Sequence, residues 1–203
     1  MTIMEHSEKD FNIENKKILI TKEQLKKIMP LAKLTNIEKY LIPLNDAMEK
    51  FEINTPKRIA AFLSQIALES GELKFDTELP SKYNGFDFSK YDGRKSLGNN
   101  QPGDGVKYKG RGVLQLTGRF NYTSMTKKLN AIGIVVNLVD NPELATRPDI
   151  SAIIAAQYFK DHKLNSLADS GDVVGITRAV NGPGMLGLDR RIAYYNRAVE
   201  VLS

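Results

Sequence analysis

Glu69 lies at the end of a segment whose sequence predicts an amphipathic helix. Thr55-Pro56 pairs a hydroxyl N-cap with proline at the first helical position, and Gly71 is a common residue at a helix end. The apolar positions recur at helical spacing and are Ile59, Phe62, Leu63 and Ile66. Glu69 follows Phe62 by seven residues, about 20° short of two full turns, so its carboxyl group falls on or beside this stripe. Such surroundings favour the protonated form that can donate a proton, whereas most helical glutamates simply face solvent.

Cleavage of a glycosidic bond needs a second carboxyl group, and the residues after Gly71 offer several. The candidates are Glu72, Asp76, Glu78 and Asp87. Glu78 is favoured because Leu79-Pro80 follows it, and proline stiffens the backbone nearby. If the pair works by inversion, the two carboxyl groups should lie ~6.5–9.5 Å apart with a water molecule between them.

The segment Gly110–Gly118 combines glycines with polar side chains suited to binding sugar. Gln115 and Thr117 alternate with leucines, which predicts a short extended piece with one polar face. With Asn121, they would offer amide and hydroxyl partners to a glycan, and Thr117 could hold the attacking water. A plain turn is one alternative. A phosphate-binding loop is the other, and it is weak because no Gly-Lys-Ser/Thr sequence follows.

A long stretch rich in turn residues separates these two segments. Residues 72–106 contain repeated Gly, Asn, Asp and Pro, and loops of this length are usually functional or disordered. Four aromatic side chains could stack on sugar rings at the rim or pack the loop itself: Tyr83, Phe86, Phe88 and Tyr91.

The composition is that of a globular protein with an uneven charge. The 203 residues are 41% hydrophobic and 26% charged, with no cysteine and no apolar run long enough to span a bilayer. The polar N-terminus lacks the features of a secretory signal. The lack of cysteine suits synthesis in a reducing compartment. The two histidines, His6 and His162, are far apart in the sequence, so no metal site is expected. No cofactor is expected either, because hydrolysis by an acid and a base requires none.

The formal charge of +5 is concentrated in residues 93–128. This segment carries eight basic side chains against one acidic side chain, Asp104. A positive field favours an anionic polymer as partner, and nucleic acid, an anionic lipid surface and bacterial cell wall all qualify. A solvated basic surface is the ordinary alternative.

The pattern of caps and apolar stripes predicts a mainly α fold. We expect a flexible tail over residues 1–17 and one catalytic domain over 18–203, with a loop-rich lobe at about 72–110. Helix starts are predicted at Thr21, Asn36, Thr55, Asp149 and Asp172, and Pro43 is expected to interrupt the second helix. Further helices are predicted over Phe120–Asn130 and Leu188–Leu202.

Several ordered motifs resemble glycoside hydrolase family 19 chitinases, and more closely the chitinase-like endolysins of bacteriophages. The resemblance covers roughly residues 56–202, and its anchors are residues 62–70, 91–99, 103–105, 108–122, 180–182 and 189–195. It implies a mainly α fold of the lysozyme-like α+β superfamily, in which a helical lobe and a long-loop lobe flank a substrate groove.

The resemblance also implies roles for individual residues. Glu69 matches the general acid, Glu78 looks like the general base, and Thr117 stands where chitinases often have serine. The residues implied in substrate binding are Tyr108, Gln115, Asn121, Asn181 and Arg191. Asn181 and Arg191 match residues that also orient the catalytic carboxylates.

Two departures from the family pattern argue against long chitin chains as substrate. Leu68 stands where the family often has histidine, and no glutamate follows Asn181-Gly182 as it does in plant members.

The sequence therefore predicts a phage endolysin that hydrolyses β-1,4 bonds of peptidoglycan by a muramidase-type, inverting reaction. The expected enzyme is monomeric, inserts in no membrane and waits in the host cytoplasm. It reaches the periplasm and cell wall at lysis with the help of a holin-like protein that permeabilises the membrane. The alternatives are a bacterial chitinase and a non-catalytic glycan-binding protein. A nucleic-acid binder is disfavoured because no recognition motif accompanies the charge.

Overall fold

The computed structural model describes residues 17–80 and 87–203. The predicted tail falls almost entirely outside these residues, as do Tyr83 and Phe86. Within the described ranges the secondary structure is almost entirely helical, and the only β pairing consists of two isolated antiparallel bridges, Thr77 with Arg111 and Arg111 with Leu116. The predicted mainly α fold is confirmed.

The first three helices precede the loop-rich segment. They are α1 (Lys22–Ile28), α2 (Leu34–Lys50) and α3 (Pro56–Glu69). The capping box at Thr21 and the Thr55 cap were both predicted: each side chain accepts a hydrogen bond from a backbone N–H in the first helical turn. The helix α3 ends at Glu69, so the candidate acid sits where the helix gives way to the loop.

Two details of α2 differ from the prediction. The helix begins at Leu34, after Lys33, so Asn36 lies inside it and cannot be its N-cap. Pro43 also lies inside the helix and does not interrupt it. A proline costs a helix about 3 kcal/mol, but buried side chains anchor α2 on both sides of Pro43, with Ile37 and Tyr40 before it and Leu44 and Ala47 after it.

The loop-rich segment between α3 and the later helices contains only short helical turns. These are two 3₁₀ turns, Phe88–Tyr91 and Lys95–Leu97, and the single-turn α4 (Asp104–Lys107). The helix α5 (Arg119–Ala131) follows, and a third 3₁₀ turn covers Pro142–Thr146. Helix α5 overlaps the predicted Phe120–Asn130 closely.

The remaining helices are α6 (Pro148–Asp161), α7 (Leu164–Asp169), α8 (Val173–Asn181) and α9 (Leu188–Leu202). Asp172 caps α8 as predicted, and the bounds of α9 match the prediction. The N-cap of α6 is Arg147, not Asp149; Pro148 occupies the first position, and Asp149 pairs with Arg147 from within the first turn. The short α7 was not predicted.

Two apolar clusters stabilise this arrangement. The larger one joins α1, α2 and α3 to α6–α9 and includes Phe62 and Phe159, whose rings meet edge to face at 4.9 Å. The smaller one packs α5 against α6 and includes Tyr108 and Tyr122. Helix α3 packs along α9, which brings the end of α3 against the side chains of the last helix. No helix of the described part is long and apolar enough to cross a membrane.

Candidate active site

Glu69 is held by an ion pair at the junction of α3 and α9. Its side chain is 21% exposed, and its Oε1 accepts a hydrogen bond from Nη2 of Arg191. The sequence placed Glu69 against an apolar stripe, whereas the structure places it at the edge of the core beside a guanidinium. Because Arg191 binds only one of the two oxygens, Oε2 is without a hydrogen bond from any described residue.

Arg191 lies behind Glu69 and not in contact with solvent. It is 1% exposed, its Nη1 donates to Oε1 of buried Gln65 at 2.6 Å, and its Nε donates to the Leu186 carbonyl at 3.3 Å. The side chain is enclosed between α3 and α9 and lines only the small opening that also contains Glu69 and Asn181, so its direct contact with substrate stays a prediction. Its geometry is that of a residue that positions Glu69.

Glu78 is fixed from both sides. Its Oε1 accepts from the Tyr91 hydroxyl at 2.8 Å, and its Oε2 accepts from the Gly110 N–H at 3.0 Å. The Glu78 backbone N–H in turn donates to the Gly110 carbonyl at 2.8 Å. Burial and the hydrogen bond to Glu78 raise the pKa of Tyr91 to about 12, so its hydroxyl remains a donor well above neutral pH.

The other three candidate carboxylates are engaged elsewhere. Glu72 is 3% exposed and accepts from two backbone N–H groups and from the Tyr194 hydroxyl. Asp87 caps the 3₁₀ turn at Phe88, and Asp76 lies 3.6 Å from Lys39. Of the four, Glu78 is the one that lines the same cavity as Glu69.

Glu69 and Glu78 open onto one cavity of about 460 Å³. The remaining lining residues are Phe75, Thr77, Leu79, Tyr91, Gln115 and Thr117. The two carboxyl groups, the amide of Gln115 and the hydroxyl of Thr117 thus share one solvent-accessible space. This volume lies in the range of about 300–1,000 Å³ that is usual for ligand-binding clefts.

The loop Gly110–Gly118 brings its polar side chains to this cavity through unusual backbone geometry. Gln115 has a φ of +51°, in the left-handed region, and its Nε2 donates to the Gly112 carbonyl at 3.0 Å. The Thr117 hydroxyl donates to the Gln115 carbonyl at 3.1 Å. Since the hydroxyl uses its proton there, its lone pairs are the part that can accept a hydrogen bond from a water molecule.

The groove continues past Gln115 and Thr117 into a second cavity of about 310 Å³. Asn121 lines this cavity and donates from Nδ2 to the Thr117 carbonyl at 2.8 Å. Tyr158 and His162 lie at its far side with their rings stacked at 3.9 Å. The predicted groove residues Gln115, Thr117 and Asn121 are therefore neighbours along one surface.

The other two predicted substrate contacts have different positions. Asn181 lines a small opening on the opposite side of Glu69, and its Oδ1 accepts from the Leu186 N–H at 2.6 Å. Tyr108 is fully buried, packs against Tyr122, and donates its hydroxyl proton to the Val139 carbonyl. In this structure the ring supports the loop from within the core, and a direct contact of Tyr108 with substrate stays a prediction.

The structure also adds apolar wall residues that the sequence analysis did not single out. Phe75 and Leu79 flank Glu78 and remain 42% and 64% exposed. Their position in the sequence, within four residues of Glu78, is the feature from which their place in the cavity wall could have been predicted. Of the predicted rim aromatics in the described part, Tyr91 lines the cavity and Phe88 is buried. Over the same residues, no three His, Asp or Glu side chains converge as a metal site would require.

The chain resembles known proteins in part of its sequence and in its fold. No family model matches the chain. A glycosyl hydrolase family 19 domain-containing protein of Haemophilus influenzae (strain ATCC 51907 / DSM 11121 / KW20 / Rd) is 35% identical over 111 residues, or 55% of this chain. The chain spans only half the length of that relative.

Solved structures match over nearly the whole chain. Chitinase C from Streptomyces griseus HUT6037 has a TM-score of 0.71 at 21% identity, covering 93% of this chain and 95% of that chain. A bacterial family 19 chitinase gives 0.70 at 22% identity, covering 91% and 95%. A class IV chitinase of Zea mays gives 0.57 at 18% identity, covering 91% and 92%. At these identities the structural likeness establishes the fold, which this chain shares with these chitinases.

The sequence motifs, the fold and the partial match to a curated relative therefore agree on one kind of protein. Together they show that this chain is similar to the glycoside hydrolases of family 19, to one curated member over part of its length and to chitinases in fold.

Proposed function

We propose that this protein is a phage endolysin that hydrolyses β-1,4 glycosidic bonds of bacterial peptidoglycan with inversion. The single observation that carries the proposal is the shared cavity, onto which Glu69, Glu78, Gln115 and Thr117 all open. An inverting glycosidase needs two carboxyl groups and a held water in one space, and this cavity has the groups for both roles.

Glu69 acts as the general acid in this mechanism. Its Oε2 donates a proton to the glycosidic oxygen as the bond from that oxygen to the anomeric carbon breaks. Arg191, which holds Oε1, stabilises the carboxylate that proton donation leaves behind. The guanidinium therefore stabilises Glu69 most after the proton has left, when the carboxylate carries its negative charge.

Glu78 acts as the general base. It takes a proton from a water molecule that binds to the Thr117 hydroxyl, and the oxygen of that water attacks the anomeric carbon from the face opposite the leaving group. Tyr91 and the Gly110 N–H hold the carboxylate in place. The product is a new reducing end with inverted configuration, and the reaction needs no cofactor.

Surface charge supports an anionic polymer as substrate. In residues 93–128, Arg119 pairs with Asp104 and Lys128 with Asp161, but Arg94, Lys95 and Lys107 remain exposed. These side chains would speed encounter with the cell wall. We further propose a monomer that waits in the host cytoplasm and reaches the periplasm when a holin-like protein permeabilises the membrane.

A chitinase is the second candidate, because the solved structures that match this fold are chitinases by name. The two are separated by incubating the protein with purified peptidoglycan and with soluble chitin oligomers, and analysing the products by mass spectrometry. We expect muropeptides with a new reducing end on N-acetylmuramic acid and slower release from chitin oligomers. A clear preference for chitin would overturn the endolysin proposal, and binding to peptidoglycan without any product would indicate a non-catalytic glycan-binding protein.

A further inference from the structure

A separate cavity of about 370 Å³ lies next to the Glu69 side of the site. We call it the α9 pocket and define it by Leu31, Glu72, Arg190, Ala193, Tyr194 and Arg197. Arg190 lines both this pocket and the small opening that contains Glu69 and Asn181. The α9 pocket therefore begins within one side-chain length of the candidate acid.

One face of α9 forms the floor of the α9 pocket. Arg190, Ala193, Tyr194 and Arg197 are spaced three and four residues apart, so they line up along the helix. The two arginines are about 10 Å apart along the helix axis at 1.5 Å per residue. An extended peptide rises about 3.3 Å per residue, so three residues would bridge them.

The two arginines give the α9 pocket its charge. No carboxylate in residues 17–80 or 87–203 lies within ion-pair distance of either guanidinium. Arg190 is exposed; Arg197 donates to the Ile28 carbonyl at 3.2 Å and lies 5.5 Å from the Tyr194 ring centre. The carboxylate in the wall, Glu72, already accepts three hydrogen bonds from within the protein.

We propose that the α9 pocket binds the carboxylate groups of the peptide stem that peptidoglycan carries on its sugars. This inference rests on the proposed function. Guanidinium groups bind carboxylates through paired hydrogen bonds, and a stem peptide offers carboxylates on side chains and at its C-terminus. Leu31, 83% exposed at the rim, would contact the alkyl parts of the stem. Chitin has no such stem, so the α9 pocket would discriminate between the two polymers.

The test compares two forms of one polymer. Initial rates of reducing-end release are measured on intact peptidoglycan and on glycan strands from which an amidase has removed the stems. The variants are Arg190→Gln alone and Arg190→Gln combined with Arg197→Gln. Arg190 is exposed, so the single variant should fold. The double variant also loses the contact of Arg197 with the Ile28 carbonyl, which could perturb its fold. Circular dichroism checks the fold of both variants. Lys50→Gln combined with Lys163→Gln removes the same charge from exposed positions elsewhere.

We expect the single variant to lose about tenfold in rate on stem-bearing peptidoglycan, in the range of one charge-assisted hydrogen bond, and the double variant to lose more. Both should match the wild type on stripped strands, and the lysine control should match it on both substrates. Equal losses on the two substrates, or no loss on either, would overturn the inference while leaving the proposed function standing. If the wild type released no reducing ends from either form, the proposed function would fail, and the inference would fail with it.

Discussion

At the scale of single residues, the site depends on the small size of Gly110. A Cβ on this residue would lie 2.4 Å from Oε1 of Gln115 and 3.1 Å from both Oε2 of Glu78 and Oγ1 of Thr117. Three polar groups of the site therefore converge on the space that the missing side chain leaves. Glycine at this position lets the backbone approach the carboxylate closely enough to donate to it.

We predict that Gly110→Ala inactivates the enzyme without unfolding it. The added methyl group must displace the end of the Gln115 side chain, which is flexible, and it crowds Glu78 and Thr117. The expected result is a rate of reducing-end release at least ~10²-fold lower, the usual contribution of a positioned acid or base. Gly184→Ala is the matched control, since a Cβ there meets nothing within 4 Å. Similar rates for both variants would show that the convergence at Gly110 does not matter.

The two carboxylates that share the cavity, Glu69 and Glu78, were more predictable than their surroundings. Helical spacing located Glu69, and the proline after Glu78 favoured it over three neighbouring carboxylates. The burial of Arg191 and Tyr108 could not be predicted, because it depends on how α9 and α5 pack against distant parts of the chain. The left-handed backbone conformation of Gln115 could not be predicted either, since residues other than glycine seldom adopt it.

At the scale of elements, local capping signals predicted several helix boundaries well. Thr21, Thr55 and Asp172 satisfy backbone N–H groups through their own side chains, so the sequence alone marks those starts. Asn36 failed as a predicted cap because α2 begins before it. The short helical turns between Phe88 and Lys107 were missed because tertiary contacts, and not periodic apolar residues, fix them.

Asp104 is the main contact that holds this loop-rich segment to α5. Its carboxylate is 2% exposed, pairs with Arg119 and accepts hydrogen bonds from the backbone N–H groups of Asn100 and Gln101. Asn99 adds a further link by accepting from the Arg119 N–H at 2.9 Å. The guanidinium and the two backbone bonds lower the pKa of Asp104, so the carboxylate stays charged in mildly acidic solution.

We predict that Asp104→Asn lowers the free energy of unfolding by about 2 kcal/mol, the range for a hydrogen bond to a charged group. The segment between Phe88 and Lys107 should also become more sensitive to limited proteolysis. Chemical denaturation and mass mapping of the cleavage sites would measure these effects. The exposed pair Arg147–Asp149 supplies the control: Asp149→Asn should cost less than about 1 kcal/mol. Equal costs at the two positions would contradict this account.

At the scale of the whole molecule, three tyrosine hydroxyls in different parts of the fold have raised pKa values. Tyr40 belongs to the larger cluster, Tyr122 to the smaller one, and Tyr91 binds Glu78. Burial is the first cause in each case, and it raises the pKa of each hydroxyl from 10.0 to about 12. The folded state thus binds these protons more tightly than the unfolded chain does.

The predicted consequence is a loss of stability in alkaline solution. Below pH about 10 the phenols are protonated in both the folded and the unfolded state, so their contribution to the free energy of unfolding is constant. Between pH about 10 and 12 the unfolded state loses these protons first, so the free energy of unfolding falls. Denaturant titrations at pH 8, 10 and 11.5 would measure the fall. Tyr40→Phe removes one ionisable group and should flatten the pH dependence. If the free energy of unfolding of Tyr40→Phe fell with pH as steeply as that of the wild type, the raised pKa of Tyr40 would be contradicted.

The central claim is that Glu69 and Glu78 perform the two proton transfers across one cavity. The most direct measurement is the initial rate of reducing-end release from purified peptidoglycan by Glu69→Gln, Glu78→Gln and the control Asp76→Asn. We predict losses of about 10²–10⁴-fold for the two glutamine variants, with unchanged circular dichroism, and a near-wild-type rate for Asp76→Asn. A correctly folded Glu69→Gln or Glu78→Gln variant that releases reducing ends at the wild-type rate would contradict the account.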